Sequence, residues 1–365
     1  MNMKVIEVKN KKDIKRFTDL ASRLYDAKNN TEDPGDITKL LEGKHVLSKY
    51  FTLKAFLVTD DADNVKARFG LTIYDKDDTL YLGYFESEDN SEAAKAVFDY
   101  AADYAAANGF KRITGPVDSS FWIKYRLKIN KFEAPYTGEP YNLQYYFKLF
   151  EENGFKVAEH YVSHRFETVD ESYSNPKFTE HYNEFISKGY SIIKPEMADF
   201  DKVIGEVYEM ISELYSDFPI YKYVSREDFI EVFSSYKKII NMDMVRMAYF
   251  DGKAVGFYIS VPNYGNIVYN LTPANILKIL KIRKDPKDYV MLYMGVDRQH
   301  TGLGKALCYA IAEELKKSNL PSIGALQKDG KITQKYGEEV VSDVYEYVLL
   351  HHKITRKPIN FIHII

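Results

Sequence analysis

The stretch Val290-Met291-Leu292-Tyr293-Met294-Gly295-Val296-Asp297-Arg298-Gln299-His300-Thr301-Gly302-Leu303-Gly304-Lys305-Ala306 decides the fold. Its first seven residues are apolar at odd and even positions alike, as a strand covered on both faces of a sheet must be. From Leu303 to about Lys317 the residues Leu303, Ala306, Leu307, Ala310, Ile311 and Leu315 recur at helical spacing, which predicts an amphipathic helix packed on that sheet. The turn between them carries Gly302 and Gly304. Such a turn presents unpaired N–H groups at the positive end of a helix dipole, and glycine lets an anion approach the backbone closely. A diphosphate site is therefore expected here, with Gln299 and Lys305 as further side-chain donors. Neither G-x-G-x-x-G nor G-x-x-x-x-G-K-S/T occurs at this turn, so the dinucleotide and P-loop readings fall away.

Working outward, the first half reads as a strand (Lys4 to Val8), helices at Asp13 to Ala27 and Ile37 to Ser48, and strands at Leu53 to Thr59, Val65 to Tyr74 and Leu80 to Phe85. A long helix fits Ser91 to Asn108, with Ala94, Val97, Phe98, Ala101 and Ala105 on one face. A strand at Lys111 to Gly115, a helix at Leu143 to Asn153 and strands to Val169 complete it. Residues 170–188 are polar, with Ser174, Asn175 and Pro176, which places a domain boundary there. Beyond it the order returns: a strand at Tyr190 to Lys194, helices at Phe200 to Tyr215 and Arg226 to Tyr236, and strands at Met244 to Phe250 and Ala254 to Val261 joined by an Asp251-Gly252 hairpin. The central strand and long helix follow, then a final strand, helix and strand. This repeat of element order predicts two α/β domains, residues 1–170 and 176–365, each a mixed central sheet flanked by helices.

The pattern Gln299-x-x-Gly302-x-Gly304 after an apolar strand resembles the pyrophosphate-loop signature of the GCN5-related N-acetyltransferase (GNAT) superfamily. Phe218-Pro219, Ser225-Arg-Glu-Asp228, Val255-Gly-Phe257 and Val261-Pro-Asn263 are similar to bacterial GNAT-like proteins, as are Gly115-Pro116, Tyr145-Tyr146 and Glu152-Asn-Gly-Phe155. The resemblance implies a tandem GNAT fold in which Gly295, Val296, Gln299, Thr301, Gly302, Leu303, Gly304 and Lys305 hold acetyl-CoA or another acyl-CoA. The family polarises the thioester carbonyl with backbone N–H groups near Gly295 and Val296, where Gly295 permits close approach. Its general-acid tyrosine stands four residues before a glycine, but here Thr333 holds that place before Gly337. Tyr336 and Tyr345 are the substitutes considered, alongside Tyr347, and each is also readable as a packing aromatic.

The N-terminal counterpart of the loop, Glu86-Ser-Glu-Asp-Asn-Ser-Glu92, has no glycine, and its carboxylates repel a diphosphate. Asp, Asn and Ser ahead of a helix are N-capping residues instead, so the first domain is expected not to bind CoA.

Net charge is −3, which supplies no overall basic field for nucleic acid or an anionic membrane, and neither is expected as a partner. No stretch has the roughly 20 apolar residues of a bilayer span, and a cytoplasmic location is expected. The single cysteine, Cys308, lies on an apolar helix face and is expected to be buried and inert. His351 and His352 are adjacent on a strand and point to opposite faces, so no metal site is expected. The basic run Lys278, Lys281, Arg283, Lys284 and Lys287 reads as a solvated surface. These readings converge on an acyltransferase acting on the amine of a small or amino-acid-like acceptor, with a non-catalytic acyl-CoA-binding protein as the alternative.

Overall fold

The structure is a computed structural model that describes residues 2–216 and 218–355. Two compact units share the chain by exchanging segments. Unit 1 comprises residues up to Pro135, Pro140–His160 and the chain from Glu346. Unit 2 comprises Tyr136–Glu139 and Tyr161–Tyr345.

In unit 1, β1 (Lys4–Glu7), β2 (Thr52–Thr59), β3 (Val65–Ile73) and β4 (Thr79–Ser87) are successive antiparallel neighbours. Helix α1 (Lys11–Leu24) is capped by the Asn10 side chain and α2 (Pro34–Leu41) by Asp33; both lie between β1 and β2 in the chain. The crossover helix α3 (Ser91–Ala107) turns Ala94, Val97, Phe98, Ala101 and Ala105 inward, and returns the chain to β5 (Arg112–Gly115), parallel to β4. Short pieces β6 (Val117–Asp118), β7 (Lys124–Tyr125) and β8 (Leu127–Lys128) and helix α4 (Tyr146–Glu152) follow. The strand antiparallel to β5 comes from the far end of the chain, with Leu350 opposite Gly115 and Lys353 opposite Arg112.

Unit 2 repeats this plan. Strand β9 (Lys156–Phe166) enters it at Tyr161 and is followed by α5 (Pro176–Ser187). Strands β10 (Ser191–Ile193), β11 (Val245–Phe250), β12 (Lys253–Pro262) and β13 (Tyr289–Val296) are antiparallel neighbours in that order. Helices α6 (Phe200–Leu214) and α7 (Arg226–Phe233) connect β10 to β11, and α8 (Pro273–Lys284) precedes β13. Helix α9 (Leu303–Ser318) leads to β14 (Ser322–Lys328), which is parallel to β13 and antiparallel to β9. The last strand among the described residues is β15 (Val341–Lys353), whose residues from Glu346 belong to unit 1.

Three expectations change. Unit 2 opens at Tyr161, ahead of the polar stretch expected to separate the domains, and that stretch contains α5. Asn175 caps this helix, Pro176 occupies its first turn, and Phe178 and Phe185 bury one face against α9. The expected helix between β14 and β15 is absent: Gly337, in the left-handed conformation (φ 71°), separates two 3₁₀ turns at Ile332–Lys335 and Glu338–Val340.

Candidate functional site

Strands β13 and β14 are paired only from Tyr289–Met291 to Ser322–Gly324 and then splay apart. Each strand carries an irregularity where the splay begins. On β13, Ile259 faces Tyr293 and Ser260 faces Met291, so Leu292 is an extra, bulged residue. On β14 the register jumps between Gly324 and Gln327 relative to β9. Leu326 there takes φ 57°, and its N–H donates to Ser163 Oγ at 2.8 Å. A bulge bends its strand and ends regular pairing, so the two together hold the sheet open.

A cavity of about 510 Å³ occupies this splay, wholly within unit 2. Below α9 its wall is apolar, formed by Tyr258, Met291, Ile311, Leu315 and Phe178. On the α6 side it reaches Leu214, Tyr215 and Phe218. Cys308 lies in the wall, with burial pushing its thiol up to about 12, which keeps it a neutral hydrophobe.

At one end of the cavity stands the N-terminus of α9. Its cap residue, Gly302, adopts φ 98° and provides no side-chain cap. Asp297 organises the preceding turn: its carboxylate accepts from Gln299 N at 2.9 Å and its carbonyl from His300 N at 2.9 Å. Leu303 N and Lys305 N are engaged by His300 O and Gly302 O. Among the described residues, no hydrogen bond engages the N–H groups of Thr301, Gly302 and Gly304. These three residues line the cavity at the positive end of the helix, where free N–H groups favour an anion.

Of the residues singled out in the sequence, Gly295, Val296, Thr301, Gly302 and Gly304 line this cavity together with Tyr336. Leu303 does not, being fully buried under β12, where a Cβ on Gly256 would lie 3.1 Å from its Cδ2. Gln299 is exposed and outside the lining. Lys305 turns to α5, its Nζ 3.3 Å from His181 Nε2. The lack of a side chain at Gly295 is explained by packing, since a Cβ there would lie 2.4 Å from the Phe257 ring and 2.8 Å from Leu214. Tyr345 packs its ring 6.0 Å from that of Tyr136 and is not part of the cavity. Tyr347 is fully buried and pairs with Lys128 in unit 1. Tyr336 Oη lies 3.4 Å from where a Cβ on Gly304 would be, and desolvation, with Cys308 next, pushes its phenol up to about 12. It is therefore a protonated donor at neutral pH.

Sequence reading missed His181. On α5, its Nδ1–H donates to Lys177 O at 2.9 Å, which leaves Nε2 to accept from Lys305. A Cβ on Gly302 would meet its Cδ2 at 2.9 Å. The signal was Phe178, Tyr182 and Phe185 at helical spacing behind an Asn-Pro start, masked by polar neighbours.

Unit 1 fills the corresponding space with its own chain. Past Tyr81 and Thr114, where the β4–β5 pairing ends, β6 runs against β4 so closely that a Cβ on Gly83 would lie 2.0 Å from Val117 O. The Asp118 carboxylate accepts from Tyr84 N at 2.5 Å and pairs with Lys124 Nζ at 3.1 Å. The amides that start α3 are capped by the Asn90 side chain, which accepts from Glu92 N and Ala93 N. Nearby, Tyr146 Oη donates to Glu86 Oε2 at 2.6 Å, and buried Arg68 is paired with Glu32. Burial, then repulsion from Glu32, raises Glu86 to about 7.

No family model matches the sequence. A tandem GNAT protein from the clavulanic acid biosynthesis pathway, solved without AcCoA, superposes with a TM-score of 0.52 over 97% of this chain and 99% of that one, at 11% identity. The chain has the tandem GNAT fold. A GCN5-related N-acetyltransferase from Anabaena variabilis is similar over 97% of this chain and 73% of that one, with a TM-score of 0.51 and 7% identity. In sequence, this chain is 23% identical over 290 residues to the bacterial ceramide synthase of Caulobacter vibrioides, covering 74% of this chain and 72% of that protein.

Proposed function

We propose that unit 2 binds acetyl-CoA or a longer acyl-CoA and transfers the acyl group to the amine of a small or amino-acid-like acceptor. The observation that carries this reading is the uncapped start of α9, whose Thr301, Gly302 and Gly304 amides face a cavity running into the β13–β14 splay. The diphosphate lies against these amides, and the thioester lies along β13 near Leu292 to Val296. The neutral amine attacks the thioester carbonyl carbon, the C–S bond breaks, and the amine proton passes to solvent. Tyr336, held protonated by desolvation, gives its proton to the departing thiolate and takes one back from solvent, so the cycle closes with free CoA thiol.

The apolar wall below α9 supports an acyl chain longer than acetyl, since each buried methylene adds about 0.8 kcal/mol. A ceramide is an amide, so the name of the Caulobacter relative is compatible with this chemistry. Thr333 at the family's general-acid position favours the second reading, a binding protein without turnover.

Isothermal titration of wild type and Gly302→Glu with acetyl-CoA and octanoyl-CoA tests the site. Binding by wild type alone, tighter for octanoyl-CoA, is expected; equal binding by both proteins refutes the site. Thiol release with a panel of amines separates the readings, because steady turnover excludes a binding-only protein.

A further inference from the structure

Helix α8 stands apart from the other helices of unit 2 in what it shows to solvent. Thr272 caps it and Pro273 opens it, and only Ile279 is buried, against Val261, Tyr264 and Val290. Ile276, Leu277 and Leu280 are exposed, Leu277 to 69%. At 100° per residue Leu277 points opposite Ile279, and Leu280 lies one turn from both Ile276 and Leu277, so the three form one outward apolar patch. Soluble helices normally place polar residues there, and an exposed apolar cluster marks an interaction surface.

The same helix carries no acidic residue. Lys278, Lys281 and Lys284 are exposed around the patch and, among the described residues, form no ion pair. Arg283 reaches back to Lys238 O at 3.2 Å. The net charge of −3 therefore conceals a local basic field around an apolar centre.

We propose that α8 docks unit 2 on an anionic lipid surface, with Ile276, Leu277 and Leu280 entering the headgroup boundary and Lys278, Lys281 and Lys284 meeting lipid phosphates. Leucines beneath lysines whose flexible stems keep the charge in water are the components of an interfacial helix. A second copy of the chain is a poorer occupant, because a twofold contact through this patch sets lysines against lysines. Among the described residues, no helix is long and apolar enough to cross a membrane.

Cosedimentation of the full chain with vesicles of phosphatidylcholine alone, and of equal parts phosphatidylcholine and phosphatidylglycerol, tests this. Binding to the anionic vesicles, weak binding to the neutral ones, and weakening by salt are expected. The double change Lys281→Glu, Lys284→Glu is expected to lower partitioning at least about tenfold, and Leu277→Ser, Leu280→Ser to lower it independently. No binding to anionic vesicles, or unchanged binding by both variants, overturns the proposal. A dimer in vesicle-free solution that Leu277→Ser abolishes also overturns it, in favour of self-association.

Discussion

Replacing Gly304 with alanine is expected to raise stability and lower acyl-CoA affinity in the same protein. Gly304 sits in the first turn of α9 and is not among the residues with positive φ, so alanine meets no backbone strain there. The added methyl would lie 3.4 Å from Tyr336 Oη, 3.5 Å from Tyr336 Cε2 and 3.8 Å from Met294 Cε, which are ordinary contacts. Removing glycine from a helix is worth up to about 1 kcal/mol, less near an end. The methyl, however, projects into the cavity beside the Gly302 and Gly304 amides. Loss of one hydrogen bond to a charged oxygen costs about 1.5–3 kcal/mol, a rise in Kd of roughly tenfold to a hundredfold. Titration calorimetry with acetyl-CoA and thermal unfolding without ligand measure the two effects separately. A raised Tm with an unchanged Kd would refute the reasoning, because it would show that no anion comes near this backbone.

Two further perturbations probe the chemistry and the closed unit. Tyr336→Phe is expected to lower kcat about a hundredfold while leaving the acetyl-CoA Kd nearly unchanged. In wild type, a phenol pushed up to about 12 stays protonated, so its donor role persists through pH 9 in a rate profile. For Glu86, the folded carboxyl is raised to about 7 against an ordinary 4.5, so the folded state holds more protons between those values. Its contribution to stability is then fully present below the unfolded value and is lost as pH rises through about 7. Glu86→Gln is expected to flatten that part of a Tm-against-pH curve, and an unaltered slope would show that another group titrates.

The legible parts of the fold were those with a strong local code. Asp251 and Gly252 both take positive φ and close the β11–β12 hairpin, as an Asp-Gly pair between strands requires. The apolar run of β13 and the face of α9 gave the site its frame, and the carboxylate-rich start of α3 marked the unit whose helix caps itself. Helices α5 and α8 were not legible, because α5 has apolar residues only on a narrow stripe and α8 exposes most of its own. The origin of each sheet's last strand was hidden for a different reason. Whether β5 pairs with Leu350 to Lys353 or with a nearer segment is a long-range choice between strands of similar pattern, and local periodicity carries no information about it. The cavity wall was partly illegible for the same reason, since Phe166 and Val169 reach it from β9 and the turn after it.

The exchange of terminal strands has a consequence for how the molecule is made. A ribosome delivers β1 to β5 early, but the neighbour that covers the β5 edge is among the last described residues to emerge. The nascent N-terminal sheet must wait with an open margin until Leu350 to Lys353 have been translated, and an open margin is a template for aggregation. Release of a prematurely terminated chain, or a gene split at residue 170, leaves that sheet unfinished, so the halves cannot be dealt out to separate transcripts without re-inventing their borders.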